Sequence, residues 1–522
     1  MSGTYEEAIK LLTSRSKAFK KVATLPNGAP RDPIPNYVGM REWLAVLGHH
    51  EPSRPFDVIH VTGTKGKGGT CAWTDALLRS HFQSSHPQAA GRPKVGLYTS
   101  PHIVSERERI RIDFAPVSES LFARHFFHVW ETVLRHVGHV DSMPGYLQLL
   151  ALLSAYIFRV EGVAVAVYEV HAGGRFDSTN VWDTPVACGF NTIGLDHVGL
   201  LGQNVGEIAW NKAGIMKKGA KAFSVPQVPE AKEPLVHEAK ALGCPLAFVD
   251  AQGPDGSSAI PPNAPDYRPE LLLPEPRNNL SLAIHLANAY LGKRGTTLGQ
   301  ETILGAVQNF QWPGRFQVVE APQGSKTRWY LDFAHNDISL PVALNWFHAE
   351  VSRFDKVNPL PPMDVPMAGE ANKGLRGQPA EGQPPFCQAK RIRTLVFGHQ
   401  SDRRETADMA KVILQHCREK GMVFDHIILA GHSRRVSGRQ VFDYDEARKV
   451  LELWQGSAGW EPGVNITWCA TAKEAMDTVE RLAAGTAGDD EKSAGTGVHA
   501  LIVGSSHLVS SAVAAMPSSP LG

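Results

Sequence analysis

Residues 58–79, VIHVTGTKGKGGTCAWTDALLR, pass from a β-branched apolar stretch through four glycines and two lysines into a helix-forming stretch. No other feature constrains the fold as strongly. A strand that breaks into a glycine-rich turn and continues as a helix commits the chain to packing that helix back on a parallel sheet. The turn itself, Gly63-Thr64-Lys65-Gly66-Lys67-Gly68-Gly69-Thr70, lets backbone N–H groups close around phosphate oxygens, and the helix start adds its positive dipole. Lys67 stands where a lysine reaches β- and γ-phosphates. A common phosphate loop has Ser or Thr directly after that lysine to hold Mg²⁺. Here Gly68 and Gly69 follow and Thr70 comes one residue late.

The rest of the chain repeats the α/β habit. Strands are predicted at 57–62, 94–99, 162–170 and 187–195, and again at 328–334, 393–398, 426–431 and 499–504. An amphipathic helix at 277–291 lies between the two sets, and the domain boundary is placed near residue 312. The expected domains are 1–312, carrying the phosphate loop, and 313–522. Three stretches rich in Gly, Pro, Ser or Asp, 252–267, 357–390 and 484–497, read as loops, with 357–390 a surface insertion.

Composition narrows the function classes. Lys and Arg total 53 against 52 Asp and Glu, a net charge of +1, which offers no electrostatic footprint for nucleic acid or an anionic membrane. The six cysteines, at 71, 188, 244, 387, 417 and 469, are scattered without a C-x-x-C pair, as suits free thiols in a reducing compartment. No stretch approaches the length of a membrane span. The N-terminal MSGTYEEAIKLLTSRSKAF carries Glu6 and Glu7 and reads as an amphipathic helix rather than a leader. The expected location is cytoplasmic, with a mitochondrial form left open.

With the usual hydroxyl absent, Mg²⁺ needs other ligands. Ser100 of LYTSPH, Glu169 of YEVHAGGRFDSTN and His197 of TIGLDHVGLLG stand at or just beyond predicted strand ends, where open α/β sheets bind their ligands. Singly, each has a plainer reading, as a helix cap, a surface charge and a turn residue.

The motifs HVTGTKGKGGTCA, GLYTSPHIVSERERIRI, EVHAGGRFDSTNV, GLDHVGLLGQNVGEIAWNKAGIMK, WPGRFQ and LDFAHN occur in an order that resembles the folylpolyglutamate synthases and, more distantly, the Mur ligases. The resemblance covers most of the chain from about residue 35 onwards. It implies a Mur-ligase-like α/β fold: an N-terminal P-loop ATPase domain with a parallel sheet and a C-terminal Rossmann-like domain. It implies an ATP-dependent amide ligase that adds L-glutamate to the γ-carboxyl of a tetrahydrofolate through an acyl phosphate. By the same resemblance, Gly63, Thr64, Gly66, Lys67, Gly68, Gly69 and Thr70 form the ATP phosphate loop, and Arg315 and Asp332 contact ATP. Ser100, Glu169 and His197 hold Mg²⁺. Lys212 matches a lysine that several relatives carry as a carbamate, where it helps to hold a second magnesium ion. His335 and Ser505 match positions near the incoming glutamate; Lys67, Lys212 and His335 are the candidate catalytic residues. ATP and Mg²⁺ are the implied cofactors, with a monovalent cation as a further candidate. The expected partners are small molecules only, with the chain a monomer.

Three departures bear on the acceptor. The family usually has Ser where this chain has Gly69, and glycine where it has Phe333. The N-terminal LLTSRSKAF replaces an L-Q-T-N-like element. A dihydrofolate synthase, or a divergent member joining an amino acid to a non-folate acid, is therefore a competing reading within the ligases. A catalytically silent ATP-binding protein is the reading from another class; intact Lys67, Glu169, His197, Lys212 and Asp332 argue against it.

Overall fold

The computed structural model describes residues 3–16, 38–49, 55–86, 88, 91–249, 258–320, 325–360, 391–399, 406–431, 433–436, 439–442, 444–455, 464–484 and 497–516. It divides into two compact units, Met1–Trp312 and Pro313–Pro520. Most of the expected loop 357–390 lies outside the described residues, as do 485–496 and 252–257; of the first loop's remainder, Ala264–Tyr267 is a short helix.

The first unit is built on eight strands: β1 (Asp57–Thr62), β2 (Lys94–Tyr98), β3 (Ile110–Ile112), β4 (Ala115–Pro116), β5 (Val163–Glu169), β6 (Ala187–Phe190), β7 (Lys221–Ser224) and β8 (Leu246–Phe248). Their order is β4-β3-β2-β5-β1-β6-β7-β8. β1 lies between β5 and β6, parallel to both; β3 and β4 add an antiparallel edge. Central strands covered on both faces are largely apolar; from Val58 to Val61 and from Val165 to Tyr168 every side chain is buried, with the His60 imidazole paired to the Thr179 hydroxyl at 2.9 Å. One core packs the helix Lys67–Ser85 and the helix Pro274–Gly292 on one face of this sheet. Another packs the helices Tyr5–Ser14, Glu119–Val137 and Tyr146–Val160 on the other.

The second unit has a six-stranded sheet: β9 (Gln317–Glu320), β10 (Thr327–Leu331), β11 (Ile392–Phe397), β12 (His426–Ala430), β15 (Asn465–Cys469) and β16 (Val498–Val503), ordered β15-β12-β11-β16-β10-β9. Only β9 runs antiparallel. A separate hairpin pairs β13 (Ser433–Val436) with β14 (Arg439–Phe442).

The mixed α/β fold class stands as read from the sequence. The strand most shortened against expectation is the run 187–195, which ends as β6 at Phe190; the run 328–334 likewise ends as β10 at Leu331. Beyond β6, Asn191 and Thr192 turn to bond the phosphate loop, with Thr192 O accepting from Thr64 N at 2.8 Å.

Candidate nucleotide site

The phosphate loop leaves β1 at Gly63 and enters its helix at Lys67. Gly66 caps that helix in the left-handed region, φ +86°. A side chain could not follow at either glycine. A Cβ on Gly63 would meet Asn191 Cβ at 2.6 Å, and one on Gly66 would meet Asn279 Oδ1 at 2.4 Å. The first-turn amides of Lys67, Gly68 and Gly69 have no acceptor within the helix, as at any helix start, and such amides suit an anion.

Two loop residues make bonds that the sequence does not reveal. Thr64 is committed to the neighbouring segment: its amide donates to Thr192 O, its hydroxyl donates to Gly194 O at 3.0 Å and accepts from Gly194 N at 3.1 Å. Thr70 is fully buried. Its amide donates to Gly66 O at 2.9 Å and its hydroxyl accepts from Asn191 Nδ2 at 2.8 Å. Both groups therefore serve the fold. At Gly69 itself there is room: a Cβ would have Asn279 Nδ2 at 3.8 Å as its nearest neighbour.

Asn191 and Asn279 were not singled out from sequence, yet they brace this loop from below. Asn191 Nδ2 donates to Asn279 Oδ1 at 2.8 Å as well as to Thr70. The available signal was a polar Asn278-Asn279 pair opening an otherwise apolar helix. The separation of 88 positions between Asn191 and Asn279 hid the pairing.

Glu169, the last residue of β5, is 4 % exposed. Its Oε2 accepts from Ser100 N at 2.9 Å and would stand 3.4 Å from a Cβ on Gly68. A buried carboxylate thus faces the start of the phosphate-binding helix, beside the residue two past the end of β2. His197 is placed differently from the strand-end position expected for it. Residues 191–196 separate it from β6, and it caps the helix Val198–Leu201 in the left-handed region, φ +48°. Its ring is half exposed and 3.9 Å from the Asp196 carboxylate. Among the described residues no three His, Cys, Asp or Glu side chains could hold a metal by themselves. The donors nevertheless suit Mg²⁺, which takes one or two protein oxygens and completes its shell with phosphates and water.

Lys212 is 2 % exposed and donates through Nζ to Gly63 O at 2.9 Å. Burial, reinforced by the charge of Lys67, pushes its ammonium down to about 7 against the opposing pull of Asp196 and Asp177.

In the second unit, Asp332 follows β10 and is buried. Oδ2 accepts from Phe316 N at 3.0 Å and Oδ1 from Ala334 N at 2.8 Å. Burial raises its carboxyl above the usual range, opposed by Arg315. The Arg315 guanidinium lies 5.0 Å from the centre of the Phe333 ring. His335 is exposed, with Nδ1–H donating to Phe333 O at 2.7 Å. Ser505 is buried, and its hydroxyl accepts from Leu508 N at 3.1 Å to cap the helix Ser506–Ala515.

No family model matches the chain. A folylpolyglutamate synthase of Neurospora crassa is 33 % identical over 540 residues, covering 98 % of this chain and 91 % of the relative. One from Candida albicans is 34 % identical over 385 residues, covering 68 % and 71 %. The solved Mycobacterium tuberculosis folylpolyglutamate synthase complexed with ADP superposes with a TM-score of 0.65 at 21 % identity, covering 97 % of each chain.

Proposed function

The chain belongs to the folylpolyglutamate synthase family, and on that premise we propose that it is an ATP-dependent ligase joining L-glutamate to the γ-carboxyl of a tetrahydrofolate. The observation that carries the reading is the set of three groups around one helix start: the open first-turn amides, the buried Glu169 carboxylate and the Lys212 amine beneath Gly63. A phosphate-binding turn alone fits many nucleotide proteins. A carboxylate and a lysine near neutrality beside it fit acyl activation.

The chemistry follows from what a carboxylate lacks. It is a poor acyl donor, so phosphoryl transfer from ATP to the folate γ-carboxylate forms an acyl phosphate and releases ADP. The glutamate amine attacks that carbonyl, phosphate leaves with the bonding pair, and the amine's surplus proton passes to solvent or a base. Lys67 and the amides of Gly68 and Gly69 would neutralise charge developing on the transferred phosphoryl group. Arg315 and Asp332 would contact the nucleotide. Mg²⁺, held by Glu169, Ser100 and His197, would supply Lewis-acid stabilisation of phosphate oxygens. Lys212, neutral for a large part at pH 7, can add to CO₂ through Nζ with loss of one proton, giving a carbamate that converts a buried cation into an anion. His335, exposed after β10, would meet the incoming glutamate.

The experiment is incubation with MgATP, glutamate and one acceptor at a time. Tetrahydrofolate extended by one glutamyl residue per ATP consumed supports the reading. A product from dihydropteroate alone would replace it with dihydrofolate synthesis.

A further inference from the structure

We propose that Phe333 is the positioning residue for Arg315, its ring forming the platform that fixes the direction of the guanidinium. The proposal rests on the reading of Arg315 as a nucleotide contact.

A bulky side chain at position 333 departs from the glycine usual in this turn, and the first expectation is obstruction of a ligand. The geometry points elsewhere. The Phe333 ring is 9 % exposed and turned onto the segment Gly314–Phe316. Gly314 lies directly against it. A Cβ there would come within 2.5 Å of Phe333 Cζ, and Gly314 has φ +70°, a conformation that side chains adopt rarely. Phe333 N donates to Gly314 O at 2.9 Å. Two residues on, Phe316 N donates to Asp332 Oδ2 at 3.0 Å. The first bond extends the antiparallel β9–β10 ladder, whose last pair is Gln317 with Leu331, by an irregular step, and the second ties Phe316 to the Asp332 side chain.

Arg315 sits between those two anchors. Its backbone is held on both sides, but backbone anchoring does not choose the direction of a side chain with four rotatable bonds. The ring supplies that choice. A guanidinium within about 6 Å of an aromatic centroid is held by the ring's negative face, and its stem is packed. At 5.0 Å the contact meets that condition. Glycine at 333 would leave both Gly314 and the Arg315 side chain without this support. The large residue at 333 and the glycine at 314 are thus one packing unit, with Arg315 as its output.

The test compares two replacements of similar volume. Phe333→Tyr keeps an aromatic face; Phe333→Leu keeps apolar bulk and removes the face. Nucleotide dissociation constants are measured by calorimetry with a non-hydrolysable ATP analogue and Mg²⁺, alongside KM for ATP and kcat, with thermal midpoints to verify folding. The proposal expects Phe333→Leu to weaken nucleotide binding by about 3- to 30-fold, mainly in KM, and Phe333→Tyr to keep the wild-type value. In an Arg315→Ala background, Phe333→Leu should add nothing further. Equal binding by the Leu and Tyr variants would overturn the proposal and leave Phe333 as core packing, as would a Leu effect that persists without Arg315. If Arg315→Ala alone leaves nucleotide affinity unchanged, the reading of Arg315 fails and takes the proposal with it.

Discussion

The ammonium nitrogen of Lys212 lies 2.9 Å from the carbonyl oxygen of Gly63, the residue at which β1 becomes the phosphate loop. That bond ties a buried amine to the backbone of the candidate catalytic turn, and the amine is pushed down to about 7. Lys212→Met should lower ligase turnover by roughly 100-fold or more, about 3 kcal/mol of barrier. With ¹³C-labelled bicarbonate, the wild-type protein should show a carbamate carbonyl resonance that Lys212→Met lacks. A resonance present in both would assign the carbamate elsewhere.

The same lysine sets a pH dependence of stability. The unfolded chain holds the proton up to the ordinary lysine value of 10.5, whereas the folded chain releases it near 7. Between those values the unfolded state binds more protons, so stability rises with pH and the burial penalty is greatest below pH 7. Measured without CO₂, the unfolding midpoint of Lys212→Met relative to wild type should be highest near pH 6 and fall steadily by pH 9. A difference independent of pH would contradict the shifted lysine.

How much of this could be read from residues alone depended on whether the signal was local. β1 is found at the residues expected because an apolar run followed by glycine is a self-contained pattern. Glu169 was legible for the same reason, ending β5 beside a glycine pair. The bond at the Thr70 hydroxyl was not legible because its partner, Asn191, is 121 positions away. Ser505 has a cap reading and a ligand reading, and the bond from Leu508 N that supports the cap is a matter of backbone geometry. Phe333 reads only as a departure from glycine, because nothing in the sequence tells where its ring turns.

Ser505→Ala should therefore behave as a cap mutation. A cost of about 1 kcal/mol in stability is expected, with KM for glutamate within about twofold of wild type, the scatter that small unlinked changes give. A KM tenfold higher at unchanged stability would return Ser505 to the substrate site.

Gly66→Ala tests the loop itself. The left-handed backbone at φ +86° and the Asn279 Oδ1 contact at 2.4 Å act together. The variant should lose about 1–2 kcal/mol from the backbone conformation alone, and nucleotide affinity should fall with it because Asn279 must shift. Unchanged nucleotide binding, followed by calorimetry, would place the phosphate site elsewhere.

Glu169→Gln removes the negative charge but keeps the size of the side chain. The Mg²⁺ concentration for half-maximal activity should rise at least tenfold, since loss of one charged ligand leaves fewer hard donors. Chelation should abolish turnover in the wild type and Mg²⁺ restore it. A variant with the wild-type Mg²⁺ requirement would remove Glu169 from the metal site.

The most direct test of the central claim is mass analysis of the product formed from tetrahydrofolate, glutamate and MgATP. The account predicts a folate heavier by one glutamyl residue, with one ADP and one phosphate released per bond. ATP turnover with no glutamate incorporated into tetrahydrofolate would contradict it.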